Sequence, residues 1–307
     1  MLLPGTWVEI RSVREIASGL DARGRLDGLP FMPEMLRHCG RRFRVALRAE
    51  RACAHPSPAP LRRLEGAVTL EGLRCDGADH AGCQLGCMLL WKEAWLQPVD
   101  GPVAGPQPRA PAGDAPSLPV RDPADPTRWS CQATALPTAT RPGEPLWYPG
   151  QYVRFLRTRT FDLPGLMAML GKPALRWAGR RARNVVAPRR APPRATAEGE
   201  AEALGLRPGD WVEVKSAAEI AATLDARRTH RGLAFSGEMV EYCGRRMRVA
   251  ERVGRIVDES TGKLRTLRDT VLLERCTCDR YLGCARGMPL LWREAWLRRA
   301  AAKEEGT

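Results

Sequence analysis

Histidine is scarce in this sequence, and the arrangements on which most hydrolases depend are missing. Only four of the 307 residues are histidines. There is no Gly-rich loop of the kind that cradles phosphate, and no Ser, His and Asp can be placed together as a nucleophile and its base. The sequence therefore lacks the arrangements of catalytic residues that most standard hydrolases use.

Long apolar runs are also lacking. No stretch approaches the ~20 apolar residues of a membrane-spanning helix, and Met1-Leu2-Leu3-Pro4 is not followed by the apolar core of a secretory signal peptide. We therefore expect a soluble protein of the reducing cytoplasm. In that compartment clustered cysteines are more often metal ligands or reactive thiols than disulfides, and this chain has ten cysteines.

Positive charge is abundant, but lysine contributes little of it. The formal net charge is +14 at pH 7 and the isoelectric point is near 9.9. This balance favours an acidic partner, such as nucleic acid, another protein or an anionic membrane face. The basic residues are nearly all arginines in a background rich in Ala, Gly and Pro, so biased codon usage is an alternative explanation of the excess.

Two stretches of the chain are copies of one another. The sequence GTWVEI at 5–10 returns as GDWVEV at 209–214, and LWKEAWL at 90–96 returns as LWREAWL at 291–297. The copies occupy roughly residues 4–98 and 207–299. A chain of this length has room for two or three domains, and the copies account for two of them.

Each copy carries four cysteines. Three positions coincide, and the fourth is displaced: Cys87 matches Met288, whereas Cys278 matches Gly77. A metal ion needs four donors in space rather than at fixed sequence positions, so the displacement is compatible with a metal site. The two predicted four-cysteine sets are Cys39, Cys75, Cys83 and Cys87 in the first copy and Cys243, Cys276, Cys278 and Cys284 in the second.

Tetrahedral thiolate sites suit zinc, and we expect two zinc ions, one in each copy. An iron–sulfur cluster also takes four thiolates and is the alternative cofactor. The close-paired Cys-x2-Cys spacing of zinc ribbons is absent, which leaves unliganded buried or reactive thiols as a third possibility.

Three further residues are candidates for the same chemistry. His80 lies between Cys75 and Cys83, where it would compete with Cys87 as a ligand or face solvent near the metal. Cys53 and Cys131 have no counterparts in the other copy. Both could be small buried side chains, but Cys53 is a further candidate ligand, and Cys131 is a candidate reactive thiol lying against a metal domain.

The pattern within each copy predicts a mainly β fold with short helices, of the α+β class. Trp7 to Arg11 alternates as a half-buried strand, and Ser12 with Glu15 predicts a capped helix. Further strands are predicted at 42–48, 66–74 and 88–97, which together favour a small SH3-like barrel. The opening GDWVEV at 209–214 is similar to the start of KOW-type modules, a resemblance of about six residues per copy that implies the fold class only.

The predicted organisation is two tandem SH3-like modules, each with a Cys-rich metal-binding knuckle, joined by a short helical insert. The insert contains Trp129, Cys131 and Trp147, with helices expected from Gln151 to Arg159 and from Leu166 to Arg183. The predicted segments are 1–98 for the first module, 99–126 for a Pro-rich linker, 127–185 for the insert, 186–206 for a second linker, 207–299 for the second module and 300–307 for a disordered tail.

The Trp-Lys/Arg-Glu-Ala-Trp-Leu segments suggest either a site or a core. Glu93 and Glu294 could be catalytic carboxylates, but we expect Glu93 to pair with Arg41, Arg42 or Arg44, and the tryptophans to belong to a core. Strand alternation predicts Arg42, Arg44 and Arg48 on one side, as a basic stripe.

Two functions remain open. The first is a non-catalytic scaffold in which two metal-bound modules present a basic cleft to nucleic acid or a protein. The second is a metal- or thiol-dependent enzyme or redox accessory protein. Because Cys53, His80 and Cys87 occur only in the first copy, the second function would place the active centre there or at Cys131.

Overall fold

A computed structural model describes residues 1–54, 61–102, 116, 118–171, 203–278 and 283–301. The chain divides into two compact units. Unit 1 comprises Met1–Lys172, Ile256–Arg265 and Arg280–Gly287, and unit 2 comprises Pro173–Arg255, Thr266–Asp279 and Met288–Thr307. Two short segments of the second sequence copy therefore belong to the unit that contains the first copy.

Unit 1 is built on a curled, five-stranded antiparallel sheet that forms a half-barrel, with the strand order β8-β7-β4-β1-β9. Its strands are β1 (Trp7–Ile10), β4 (Arg42–Arg48), β7 (Ala67–Arg74), β8 (Met88–Lys92) and β9 (Leu96–Pro98). Along β1 the side chains of Val8 and Ile10 are completely buried, whereas their neighbours are half-buried. This is the period of two that the sequence predicts for a strand with one face on the core.

Short elements surround this sheet. They are α1 (Val13–Ser18), β2 (Arg25–Leu26), β3 (Leu29–Pro30), a 3₁₀ turn (Pro33–His38), β5 (Arg51–Ala52), β6 (Arg62–Arg63), β10 (Arg121–Asp122), β11 (Asp125–Trp129), α2 (Gln132–Ala139), β12 (Arg141–Pro142), α3 (Gly150–Arg157) and α4 (163–171). Helix α1 begins with the predicted capping box, in which Ser12 and Glu15 satisfy each other's backbone amides.

Unit 2 is built on a second five-stranded antiparallel half-barrel with the order β20-β19-β16-β13-β21. Its strands are β13 (Trp211–Val214), β16 (Arg246–Arg252), β19 (Thr270–Thr277), β20 (Pro289–Arg293) and β21 (Leu297–Arg299). The remaining elements of the second copy are α5 (Ala217–Ala221), β14 (Thr229–His230), β15 (Leu233–Ala234), a 3₁₀ turn (Met239–Tyr242), β17 (Arg255–Val257) and β18 (Leu264–Thr266). Helix α5 has the same capping box, from Ser216 and Glu219. The chain is therefore mainly β with few helices, as predicted.

The paired tryptophans lie in the cores. Trp91 and Trp95 of unit 1 and Trp292 and Trp296 of unit 2 are at most 1% exposed. Residues 88–97 do not form one continuous strand, because Glu93–Trp95 is a 3₁₀ turn that brings Trp95 back into the core. The prediction that these tryptophans are core residues is confirmed.

Glu93 and Glu294 have a structural role in the two units. Glu93 pairs with Arg48 and accepts the Leu2 amide, and Glu294 pairs with Arg252. The expected partners Arg41, Arg42 and Arg44 were therefore wrong for Glu93.

The predicted basic stripe along β4 is interrupted in unit 1, because one of its three arginines does not lie on the surface. A β-bulge between Val45 and Leu47 shifts the alternation of β4, so Arg48 points inward and is only 7% exposed. Arg42 and Arg44 lie at the surface, where they pair with Glu9 and Glu71.

The segments between the copies are only partly described. Within the predicted linker 99–126 the structure contains β10 and the start of β11, while residues 103–115 and 117 lie outside the described part. The predicted helix at 151–159 is α3, and that at 166–183 corresponds to α4, beyond which the chain is not described as far as residue 202. The sequence did not predict α2, which packs against β3. No helix in the described ranges is both long and apolar enough to cross a membrane.

Candidate metal centre in unit 1

Glu34, Cys75 and His80 bring three possible metal ligands together in unit 1. One ligand atom from each lies within 4.8 Å of the other two. Nδ1 of His80 lies 3.8 Å from Oε2 of Glu34. The three residues come from different segments: the 3₁₀ turn after β3, the end of β7, and the loop between β7 and β8.

Two of the three side chains are buried, and the third is partly buried. Glu34 is 5% exposed and His80 is 2% exposed, and Cys75 is half-buried. Within the described part of the chain, neither carboxylate oxygen of Glu34 nor Nε2 of His80 has a well-formed hydrogen bond. Buried polar atoms without a partner are costly, so they need either protonation or an ion beside them.

The pKa values in this group reflect the same burial. Desolvation raises the pKa of Glu34 to about 7, against the smaller lowering effect of the Cys75 thiol. Burial, and then the negative charge of Glu34, raises the pKa of Cys75 well above its ordinary value, and burial lowers the pKa of His80. Burial by itself therefore favours neutral side chains, and a bound cation would reverse that preference.

The loop between Cys75 and Cys87 is held in a tight conformation by glycine. Gly77 has φ +70°, and a Cβ atom there would lie 1.9 Å from the carbonyl oxygen of Cys83. The Gly77 carbonyl accepts the amides of His80 and Gly82, both at 2.9 Å, and the Cys75 amide donates to the Cys87 carbonyl at 2.8 Å. Only glycine fits at position 77, and this turn places His80 beside Cys75.

A small cavity of about 30 Å³ adjoins the three residues. It has room for an ion or a water molecule but not for a larger compound. Gln132 forms part of its wall: the side-chain amide of Gln132 donates to the carbonyls of Pro30 and Leu90 and accepts the Leu90 amide. These bonds fix the start of α2 against β8. The sulfur-bearing residues of the lining are Met32, Cys75, Cys83, Cys87, Met88 and Cys131.

The predicted ligands of the first copy are distributed around this cavity and the core. Cys83 and Cys87 line the cavity with Cys75, whereas Cys39 packs in the apolar core, where burial raises its pKa to about 11. Cys131 also lines the cavity, and burial raises its pKa, which disfavours the reactive thiolate. His80 is buried rather than facing solvent.

The corresponding cysteines of the second copy are placed differently. In unit 2 the Cys276 thiol accepts the indole N–H of Trp292 at 3.2 Å, and burial raises its pKa to about 11. Cys278 accepts the Met288 amide, and burial raises the pKa of Cys243. Cys284 belongs to unit 1, where its Sγ lies 3.6 Å from Sγ of Cys53. Among the described residues, neither predicted four-cysteine set forms a group comparable with Glu34, Cys75 and His80.

The matching cysteines Cys75 and Cys276 therefore have different contacts in the two units. Cys75 and Cys276 match, as do Trp91 and Trp292. In unit 2 the thiol is bonded to the indole. In unit 1 the indole nitrogen of Trp91 has no hydrogen-bond partner among the described residues, and Cys75 lies with Glu34 and His80.

Glu34 and Gln132 were missed by sequence reasoning. The sequence contains one indication of the role of Glu34: it is the single charged residue within the apolar segment Phe31-Met32-Pro33-Glu34-Met35-Leu36. A carboxylate in such surroundings is a candidate for burial near a cation or a catalytic group. Gln132 left no comparable signal.

Comparison with known proteins does not extend these observations. No family model, curated protein or solved structure matches the chain.

Proposed function

We propose that this protein binds a zinc ion through Glu34, Cys75 and His80, and that this centre in unit 1 is where it acts. The observation that carries the proposal is the meeting of three possible ligand atoms at one place, where neither carboxylate oxygen of the buried Glu34 has a hydrogen-bond partner among the described residues. An ion at this point would provide the partner that the Glu34 oxygens lack.

The spacing of the donors is compatible with tetrahedral zinc. Zinc bonds of 2.0–2.3 Å place neighbouring ligand atoms about 3.3–3.8 Å apart, and Glu34 Oε2 and His80 Nδ1 are separated by 3.8 Å. Small side-chain movements would bring all three donors onto one ion.

The mixture of donors favours zinc over the alternatives. One carboxylate, one imidazole and one thiolate form a typical zinc set, whereas calcium and magnesium prefer oxygen ligands throughout. A cluster of iron and sulfide usually requires four thiolates, or two thiolates with two imidazoles in Rieske centres. The four-cysteine sites with two zinc ions that the sequence predicts are an alternative arrangement, since the first of them also uses Cys75.

In this proposal the fourth position on the ion would hold a water molecule, for which the cavity of about 30 Å³ has room. Catalytic zinc sites keep such a position, whereas structural sites are closed by four protein ligands. An active centre in the first copy would therefore act on water or on a reactant of similar size. The arginines Arg42, Arg44 and Arg48 of β4 pair with carboxylates of the same unit, so they give less support to a basic surface for nucleic acid. We retain the SH3-like module as the proposed fold type of each half-barrel.

Metal content of matched variants tests the proposal. The full chain is purified without chelators, and zinc, iron and acid-labile sulfide are measured. We expect Glu34→Gln, Cys75→Ser and His80→Gln each to bind zinc at least 100-fold more weakly, with one equivalent lost per chain. Glu238→Gln and Cys276→Ser change the matching positions of unit 2 and serve as controls that keep this equivalent.

Three results would contradict the proposal. The first is full zinc content with unchanged affinity in both Cys75→Ser and His80→Gln. The second is loss of the same equivalent in the Glu238→Gln control. The third is brown protein with iron and sulfide, which would assign the cysteines to a cluster.

A further inference from the structure

A second group of sulfurs lies in unit 1, away from Glu34 and His80. Sγ of Cys53 lies 3.6 Å from Sγ of Cys284, and both cysteines are free thiols. The Cys53 amide donates to the Cys284 sulfur at 3.3 Å. A disulfide requires about 2.05 Å between the sulfurs, so they need to approach by about 1.5 Å.

The backbones that carry these thiols are already adjacent. Arg51 forms a parallel β-bridge with Cys284, and the Ala285 amide donates to the Arg51 carbonyl at 2.9 Å. The two cysteines are 231 positions apart in sequence, yet the fold brings them into contact. Closing a disulfide would therefore require side-chain rotation rather than a rearrangement of the sheet.

A buried ion pair is fixed beside the two sulfurs. Arg286 is 4% exposed and donates to the Cys53 carbonyl at 3.0 Å and to Oε2 of Glu259 at 2.8 Å. The same guanidinium nitrogen lies 3.9 Å from Sγ of Cys53. Because Glu259 holds the guanidinium in place, its positive charge remains directed at Cys53.

The two sulfurs are not equivalent. Cys53 is only partly buried, whereas Cys284 is 4% exposed. The hydrogen bond from the Cys284 thiol, assisted by Arg286 and opposed by burial, lowers the pKa of Cys53. Cys53 is the more accessible and more readily ionised sulfur, and Cys284 is the inner thiol that contacts it.

We propose that Cys53 and Cys284 form a redox-active dithiol that reduces hydrogen peroxide and becomes a disulfide. The Cys53 thiolate attacks one peroxide oxygen, the O–O bond breaks, and Cys53 sulfenic acid and hydroxide are formed. The Cys284 sulfur then attacks the Cys53 sulfur. The S–S bond forms, the S–O bond breaks, and the departing hydroxide takes the Cys284 proton to leave water.

The electrons balance over the whole reaction, and hydrogen peroxide is the smallest peroxide that could serve as the oxidant. Two thiols lose two electrons in total, and one peroxide gains them. Hydrogen peroxide suits a sulfur that is only partly exposed, since a bulky disulfide oxidant would have to reach the same sulfur. An external dithiol would return the pair to the reduced form by thiol–disulfide exchange.

Mass spectrometry of the wild-type chain tests this without any variant. The reduced, full-length protein is treated with one equivalent of hydrogen peroxide, its remaining thiols are alkylated, and disulfide-linked peptides are quantified after digestion. We expect the Cys53–Cys284 link to predominate among all links between the ten cysteines. The same chain unfolded in urea should lose this selectivity. A mixture in which this link is no more frequent than others would overturn the proposal.

Two variants then assign the roles. Cys284→Ser should accumulate Cys53 sulfenic acid that dimedone traps, and Cys53→Ser should consume peroxide at least 10-fold more slowly. Circular dichroism and the thermal midpoint confirm that each variant is folded. Unchanged peroxide consumption in folded Cys53→Ser would refute the reaction, and failure to trap sulfenic acid in folded Cys284→Ser would refute the assigned order of steps.

Discussion

Replacing Glu34 by glutamine should remove a pH-dependent part of the stability of the metal-free protein. Burial raises the pKa of Glu34 from 4.5 to about 7. A carboxyl with a raised pKa is protonated more readily in the folded state than in the unfolded state. Its contribution to stability is therefore complete below about pH 4.5 and is lost as the pH rises through about 7.

The magnitude follows from the size of the shift. One pKa unit corresponds to about 1.4 kcal/mol, so the change from 4.5 to about 7 is worth about 3 to 4 kcal/mol in total. Most of this should disappear between pH 5 and pH 8. The glutamine side chain resembles the protonated acid but does not titrate, so the variant lacks this loss.

The quantity to measure is the unfolding free energy of wild type minus that of Glu34→Gln, from urea titrations at several pH values. His38 and His80 titrate over an overlapping range in the opposite direction, because burial lowers the pKa of both and that of His38 to about 4. His38 is the same in both proteins, so its effect cancels in the difference. The comparison is made in a His80→Gln background, because His80 Nδ1 lies 3.8 Å from Glu34 Oε2 and would otherwise respond to the substitution. Glu238→Gln, where the side chain is partly exposed, controls for the substitution itself. A difference that stays constant from pH 5 to pH 8 would show that Glu34 is not buried as described.

Further predictions concern the loop, the buried ion pair and the metal. Gly77→Ala should destabilise unit 1 by about 3 kcal/mol or more, because the new Cβ would meet the Cys83 carbonyl. The control Gly72→Ala has open space around its Cβ and should destabilise the unit by only about 1–2 kcal/mol, because of its positive φ. Equal losses of stability in thermal or urea unfolding would disprove the reasoning. Arg48→Ala should cost about 3 kcal/mol in urea unfolding because Arg48 is 7% exposed against Glu93, while Arg44→Ala, whose side chain is 51% exposed and pairs with a Glu71 side chain that is 56% exposed, should cost less than about 1 kcal/mol. Removal of zinc by a strong chelator should lower the melting temperature of unit 1, and an unchanged transition would mean that the metal does not stabilise the fold.

Local features of the fold were predictable because they depend on neighbouring residues. Ser12 and Glu15 specify the start of α1, and the alternation at Trp7–Ile10 specifies β1. In the loop between Cys75 and Cys87 the structure shows that Gly77 permits no side chain. These patterns act over a few residues, so the sequence displays them directly.

Features that depend on distant contacts were not predictable in the same way. A single bulge in β4 turns Arg48 inward, and spacing alone does not reveal the bulge. Cys284 matched Cys83 by position, but the fold places it beside Cys53. The grouping of Cys75 with Glu34 and His80 likewise depends on how the turn at 33–38 packs. Sequence spacing therefore did not show which of these residues meet in the fold.

Because unit 1 is made of separate stretches of the chain, it can be completed only late in synthesis. The first stretch of unit 1 ends at residue 172, and the unit is completed only by residues up to 287. A ribosome must add about 115 residues in between, which takes roughly 6 to 23 s at 5–20 residues per second. Until then Cys53 lacks both Cys284 and Arg286, and Cys83 lacks the Val257 amide that bonds its sulfur. The nascent chain thus carries these thiols without their final neighbours, and the dithiol is among the last parts of unit 1 to be assembled.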